Sequence, residues 1–85
     1  MITNAKYISD YKIEITFFDN TIKNIDLKKF LFKSKNPFVK KYRNLELFKQ
    51  FRIDDGDICW GDNEFDINPV SIYRGEFDYK NLTNK

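Results

Sequence analysis

Between residues 11 and 18 the chain alternates with a period of two: Tyr11, Ile13, Ile15 and Phe17 fall on one side, Lys12, Glu14 and Thr16 on the other. That pattern makes a strand with one apolar and one polar face, and the apolar face must be covered. The strand runs into Asp19-Asn20, a pair that tolerates positive φ and so predicts a two-residue type I′ hairpin turn. A second apolar block lies far along the chain: Ile58-Cys59-Trp60, then Phe65-Asp66-Ile67-Asn68-Pro69, closing on Ile72-Tyr73. Short helix signals fill the space between. The order predicts an α+β fold, a small antiparallel β-sheet with an N-terminal three-stranded meander and short C-terminal strands, packed with short helices.

The first three strands are expected over 2–8, 11–18 and 21–27. A two-residue turn sets Ile22 opposite Phe17, both toward the core, and Ile25 opposite Glu14 on the polar face. A β-bulge near Lys23-Asn24 would turn Ile25 inward; alternatively, Ile25 covers the opposite face of the sheet. Asp26 is placed to cap a helical turn over 27–32. Asn36-Pro37 joins an N-cap residue to proline at the first helical position and opens a helix over 38–42. Asn44 caps another over 45–50, with Leu45 and Phe48 facing inward. Phe51 and Ile53 begin a strand, 54–57 turns, 58–60 returns, 61–63 turns again, and 64–67 is the last strand. Asn68-Pro69 repeats the cap-plus-proline signature and opens a helix through residue 73. Residues 1–76 are expected to form one domain, and 77–85 a polar C-terminal tail that frays or docks on a partner.

Eighty-five residues are one domain, and a chain this short buries only about 60% of its unfolded surface, so its core must be economical. Nine Phe supply large apolar area per ordered residue. Charged residues make up 33% of the chain, and no run approaches the roughly 20 apolar residues of a spanning helix, which excludes a membrane protein. No secretory signal opens the sequence. Cys59 is alone, so no internal disulfide forms, and a reducing, cytoplasmic location fits.

The chain has no histidine, which removes the commonest general base and the commonest neutral metal ligand. A Ser-His-Asp or Cys-His arrangement cannot be built within one chain. Its three glycines spell no phosphate-binding loop. The acids from Asp54 to Asp66 lack EF-hand spacing, and turns and caps explain most of them. Cys59 inside an apolar strand reads as a small core filler. No catalytic, cofactor-binding or metal-ligating residue is expected, and the chain reads as a non-enzyme.

Charge is uneven along the sequence. Residues 23–52 carry ten Lys and Arg against Asp26 and Glu46, net +8. Residues 53–68 carry six acids and no base, net −6. Such segments are either solvated faces or surfaces that steer a partner or pair head to tail between subunits. The candidate partner-binding residues are Lys28, Lys29, Lys33, Lys35, Lys40, Lys41 and Arg43, with Asp54, Asp55 and Asp57 as their acidic counterpart. The basic stretch interleaves Phe30, Phe32, Phe38, Tyr42, Phe48 and Phe51, a pattern that also serves phosphate contact and base stacking. These aromatics nevertheless keep the spacing of core-facing positions in short helices, and that is where they are expected. A helix-turn-helix needs two longer helices than the signals allow.

In order and spacing, several pieces together resemble the domain of unknown function 2442 family of small bacterial domains. They are Asp10-Tyr11-Lys12-Ile13, Phe17-Phe18-Asp19-Asn20, Ile25-Asp26-Leu27, Asn36-Pro37-Phe38, Leu47-Phe48, Phe51-Arg52-Ile53-Asp54, Ile58-Cys59-Trp60, Phe65-Asp66-Ile67 and Ile72-Tyr73. The resemblance spans about residues 5–74. Here Asn20 stands where the family usually has glycine. The resemblance implies a small α+β domain without established catalytic residues. Some members are fused to a helix-turn-helix domain. Others are encoded beside a second small protein, as in toxin–antitoxin pairs. The expected function is a protein-interaction module, antitoxin-like or regulatory, acting as a homo-oligomer (a dimer is favoured) with a protein partner encoded nearby. The alternative is a nucleic-acid-binding regulator that uses the basic 28–43 segment.

Overall fold

The computed structural model describes residues 1–62 and 64–75; the tail expected over 77–85 lies outside them. Strands β1 (Ile2–Ser9), β2 (Lys12–Phe17) and β3 (Ile22–Asp26) form an antiparallel meander, sheet one, in the order β1-β2-β3. Three short helices follow: α1 (Lys28–Lys33), α2 (Pro37–Lys40) and α3 (Leu45–Phe48), with a 3-10 turn at Lys41–Arg43 between the last two. Strands β4 (Arg52–Asp54), β5 (Asp57–Trp60) and β6 (Phe65–Ile67) make a second meander, sheet two, and α4 (Pro69–Tyr73) closes the described fold. The α+β class is as expected, with two small sheets where the sequence suggested one.

The β2–β3 register corrects the expected turn. The loop is three residues long, 18–20, with Asn20 left-handed at φ 71°. Phe17 N–H donates to Thr21 O, and Asn20 N–H donates to Phe17 O, each at 2.9 Å. The extra residue therefore sits in the turn, a common three-residue hairpin solution. Pairing then runs unbroken from Lys12↔Asp26 to Thr16↔Ile22, with no bulge at Lys23-Asn24. Ile25 falls opposite Ile13 and is buried, while Ile22 moves to the outer face and is 57% exposed. One residue of slip exchanges faces for a whole strand. The bulges lie in β1 instead, between Ile2 and Asn4 and between Tyr7 and Ser9. The second of these leaves Ile8 exposed. Two consecutive positive φ values, the mark of a type I′ turn, occur at Asp55 (54°) and Gly56 (83°), between the paired Asp54 and Asp57.

The helix caps follow the sequence closely. Asn36 accepts from Phe38 N–H at 2.9 Å, Asn44 from Glu46 N–H at 2.9 Å, and Asn68 from Val70 N–H at 2.9 Å. Each satisfies a donor that the first turn leaves open. Asp26 behaves differently: it accepts from Lys28 N–H at 3.0 Å, while Leu27 occupies the cap position of α1.

Trp60 centres the core and is fully buried. Its ring stacks on Phe65 at 4.6 Å and on Phe48 at 5.7 Å, and its indole N–H donates to Phe48 O at 2.7 Å. A buried indole needs such a partner. Ile13, Ile15, Phe17, Leu27, Leu31, Ile58 and Ile72 are among the buried residues that pack in the same core. Ile2 N–H donates to Gly56 O at 3.0 Å and ties β1 to the β4–β5 turn. A Cβ at Gly56 would collide with Met1 N, so that position needs glycine for space as well as for φ. Tyr73 holds α4 against the hairpin, with its ring edge-on to Phe17 at 5.0 Å and its hydroxyl donating to Asp19 Oδ2 at 2.9 Å. The backbone N–H and hydroxyl of Thr21, then Tyr73, hold the Asp19 carboxyl below its ordinary range. No helix among the described residues is long and apolar enough to cross a membrane.

Candidate functional site

Helix α1 has six residues, which give the core room for one side only. Leu27 and Leu31, four apart, take it and are fully buried. At 3.6 residues per turn, Phe30 and Phe32 are left on the flanks. Phe30 stacks on Phe65 at 5.7 Å yet stays partly exposed. Phe32 meets the edge of Tyr11 at 5.6 Å and is 49% exposed. On α2, Val39 is the buried residue and Phe38 is 55% exposed. The expectation that the aromatics of the basic stretch face the core therefore holds for Tyr42 and Phe48, and for the half-buried Phe51. It does not hold for Phe38, and only partly for Phe30 and Phe32. The i, i+4 spacing of Leu27 and Leu31 carries the signal for this outcome.

Lysines are interspersed with these rings along the sequence. Lys28, Lys29 and Lys33 project from α1, Lys35 from the loop after it and Lys40 from α2, all exposed. The other two basic candidates have structural contacts. Lys41 Nζ lies 2.7 Å from Glu64 Oε1, and the same oxygen accepts from Tyr42 OH at 2.8 Å. Lys41, and after it Tyr42, holds the Glu64 carboxyl below its usual range. Burial, reinforced by Glu64, pushes Tyr42 up to about 12. Arg43 turns back on α1: Nε donates to Leu31 O at 2.8 Å, and Nη2 to Phe32 O at 3.0 Å and Ser34 O at 3.1 Å. It satisfies the carbonyls that a helix C-terminus leaves open. Tyr11 OH donates in turn to Arg43 O. These contacts came from tertiary packing, which sequence spacing does not report.

The acidic candidates gather on sheet two. Cross-strand pairing places Arg52, Cys59 and Asp66 in one row and Asp54 with Asp57 in another, all on the face opposite Ile58, Trp60, Phe65 and Ile67. Asp54, Asp55, Asp57, Cys59 and Asp66 line a shallow hollow of about 280 Å³. Asp66 joins the three acids that were singled out in sequence. The alternation Phe65-Asp66-Ile67 marks it as outward-facing, but only the pairing puts it beside Cys59. The thiol is buried, and burial pushes its pKa up, so Cys59 stays protonated and a poor nucleophile. Arg52 Nη1 donates to Gly61 O. Among the described residues, no group of three or more His, Cys, Asp or Glu is arranged to hold a metal ion.

The two charged surfaces lie on opposite sides of sheet two. Phe30 of α1, Tyr42 of the 3-10 turn and Phe48 of α3 pack on its inner face through Phe65 and Trp60. The carboxylates stand on its outer face. The molecule is thus a small α+β domain of two three-stranded meanders, whose exposed chemistry is aromatic and ionic. The chain belongs to the family described as protein of unknown function (DUF2442), whose model matches residues 2–78. No curated protein and no solved structure matches it.

Proposed function

We propose that the chain is a non-enzymatic, cytoplasmic protein-interaction module that acts as a homo-oligomer. The observation that carries this reading is the exposure of Phe32 and Phe38 on a lysine-rich helical segment. Three features support the non-enzymatic part: the lack of histidine in the sequence, the buried, protonated Cys59, and two basic candidates occupied by structural contacts. An antitoxin-like or regulatory role in a two-gene bacterial unit, with a partner encoded nearby, rests on the family resemblance alone. Size-exclusion chromatography with light scattering over a concentration series tests self-association. A mass above that of one chain is expected, and a strict monomer throughout contradicts it.

A second reading is nucleic-acid binding, favoured by the exposed lysines set among Phe30, Phe32 and Phe38. It requires affinity for DNA or RNA that falls steeply with added salt. No binding at low salt removes it.

A further inference from the structure

We propose that self-association, on the reading above, is heterologous: the helical face of one copy docks on the outer face of sheet two of the next. Three observations carry this. The helical segment bears the exposed Lys28, Lys33, Lys35 and Lys40 near the exposed Phe32 and Phe38 in sequence, and the outer face bears Asp54, Asp55, Asp57 and Asp66 around a hollow, with Arg52 in the same row as Asp66. Among the described residues the ion pairs are Lys41–Glu64 and Lys49–Glu46. Among the described residues these four lysines and four carboxylates form none. Finally, sheet two stands between the sets, because the helices pack on Phe65 and Trp60 while the acids share a face with Cys59. One copy therefore cannot bring its own two surfaces together.

Surfaces on opposite sides of a molecule do not favour a two-fold contact, in which the same patch must meet itself. They form a head-to-tail contact that closes as a ring or continues as a chain. A two-fold contact between helical faces would bring lysines against lysines, and one between outer faces would oppose carboxylates. Like charges facing each other across an interface are strongly unfavourable. The second copy is favoured over nucleic acid as the occupant because a surface of opposite charge is present on the same chain.

The test uses two charge reversals of the full chain. Lys28→Glu/Lys33→Glu/Lys35→Glu reverses the helical face, and Asp54→Lys/Asp57→Lys/Asp66→Lys reverses the outer face. Near-UV circular dichroism of the buried Trp60 reports folding, and Asp66→Lys alone keeps the test readable if the triple variant does not fold. Sedimentation at low salt is expected to show wild-type species larger than a dimer, growing with concentration. Salt at about 1 M, where the Debye length falls to about 3 Å, should disperse them. Either reversal alone should weaken self-association by about tenfold or more, and an equimolar mixture of the two should restore assembly. A dimer that survives both reversals overturns the face assignment and leaves the self-association reading standing. A wild type that is monomeric throughout overturns both. A monomer that binds single-stranded DNA, losing that binding only with the lysine reversal, assigns the helical face to phosphate instead.

Discussion

Strand β2 and the helical segment after sheet one use apolar residues in opposite ways. In β2 every second residue is buried, so Ile13, Ile15 and Phe17 all reach the core and none is left over. Over 28–40 the core accepts only Leu31 and Val39, while Phe30, Phe32 and Phe38 remain at the surface. A strand with period two offers half its side chains to one face, whereas a four- to six-residue helix offers one or two. Short helices beside a small core therefore produce surface rings, and here the sequence between and beside those rings is rich in lysine. Strand β2 spends its apolar residues on the core; the helical segment buries one side and leaves rings exposed on the other.

The sharpest break in that comparison is at its shared centre. Trp60→Ala removes the ring on which Phe48 and Phe65 stack, and should cost about 3–5 kcal/mol, enough to unfold a domain this small. Loss of the cooperative melting transition is the readout. Ile25→Ala and Ile22→Ala test the register. The first should cost about 2–5 kcal/mol and the second no more than about 0.5 kcal/mol, by urea denaturation. Equal costs would mean that the bulge near Lys23-Asn24 exists after all. Arg43→Ala leaves the C-terminal carbonyls of α1 without their donor and should cost about 1–3 kcal/mol, whereas Lys33→Ala on the same helix should be near neutral.

The smallest effect is on acid stability. The Glu64 and Asp19 carboxyls are both held below their ordinary range in the folded state. Their contribution is thus present above that range and lost as pH falls through the folded values. The melting temperature should drop on acidification below about pH 4, and Glu64→Gln should reduce the drop. A variant that acidifies like the wild type would show that the Lys41–Glu64 contact adds nothing measurable.

Much of this fold was legible because its signals are local. The alternation of Tyr11 to Phe17 and the asparagine caps at 36, 44 and 68 act within a few residues, and each is found where the sequence places it. The β2–β3 register was not legible, because Asp19-Asn20 is compatible with loops of two or three residues and the choice exchanges Ile22 for Ile25. The exposure of Phe38 and the inward turn of Arg43 depend on which residues win a crowded core, and that competition is tertiary. The acids were visible as a run, but Asp66 joins Asp54 and Asp57 only through the pairing of three strands.

The exposed rings give the central claim its most direct test. Phe38→Ser leaves the described core untouched, since Val39 is the residue that α2 buries. Light scattering of this variant beside the wild type, with melting curves for both, separates contact from structure. The expected result is an unchanged melting temperature with a shift from oligomer to monomer. An oligomer that keeps its mass in the variant would contradict the claim that the helical face makes the contact.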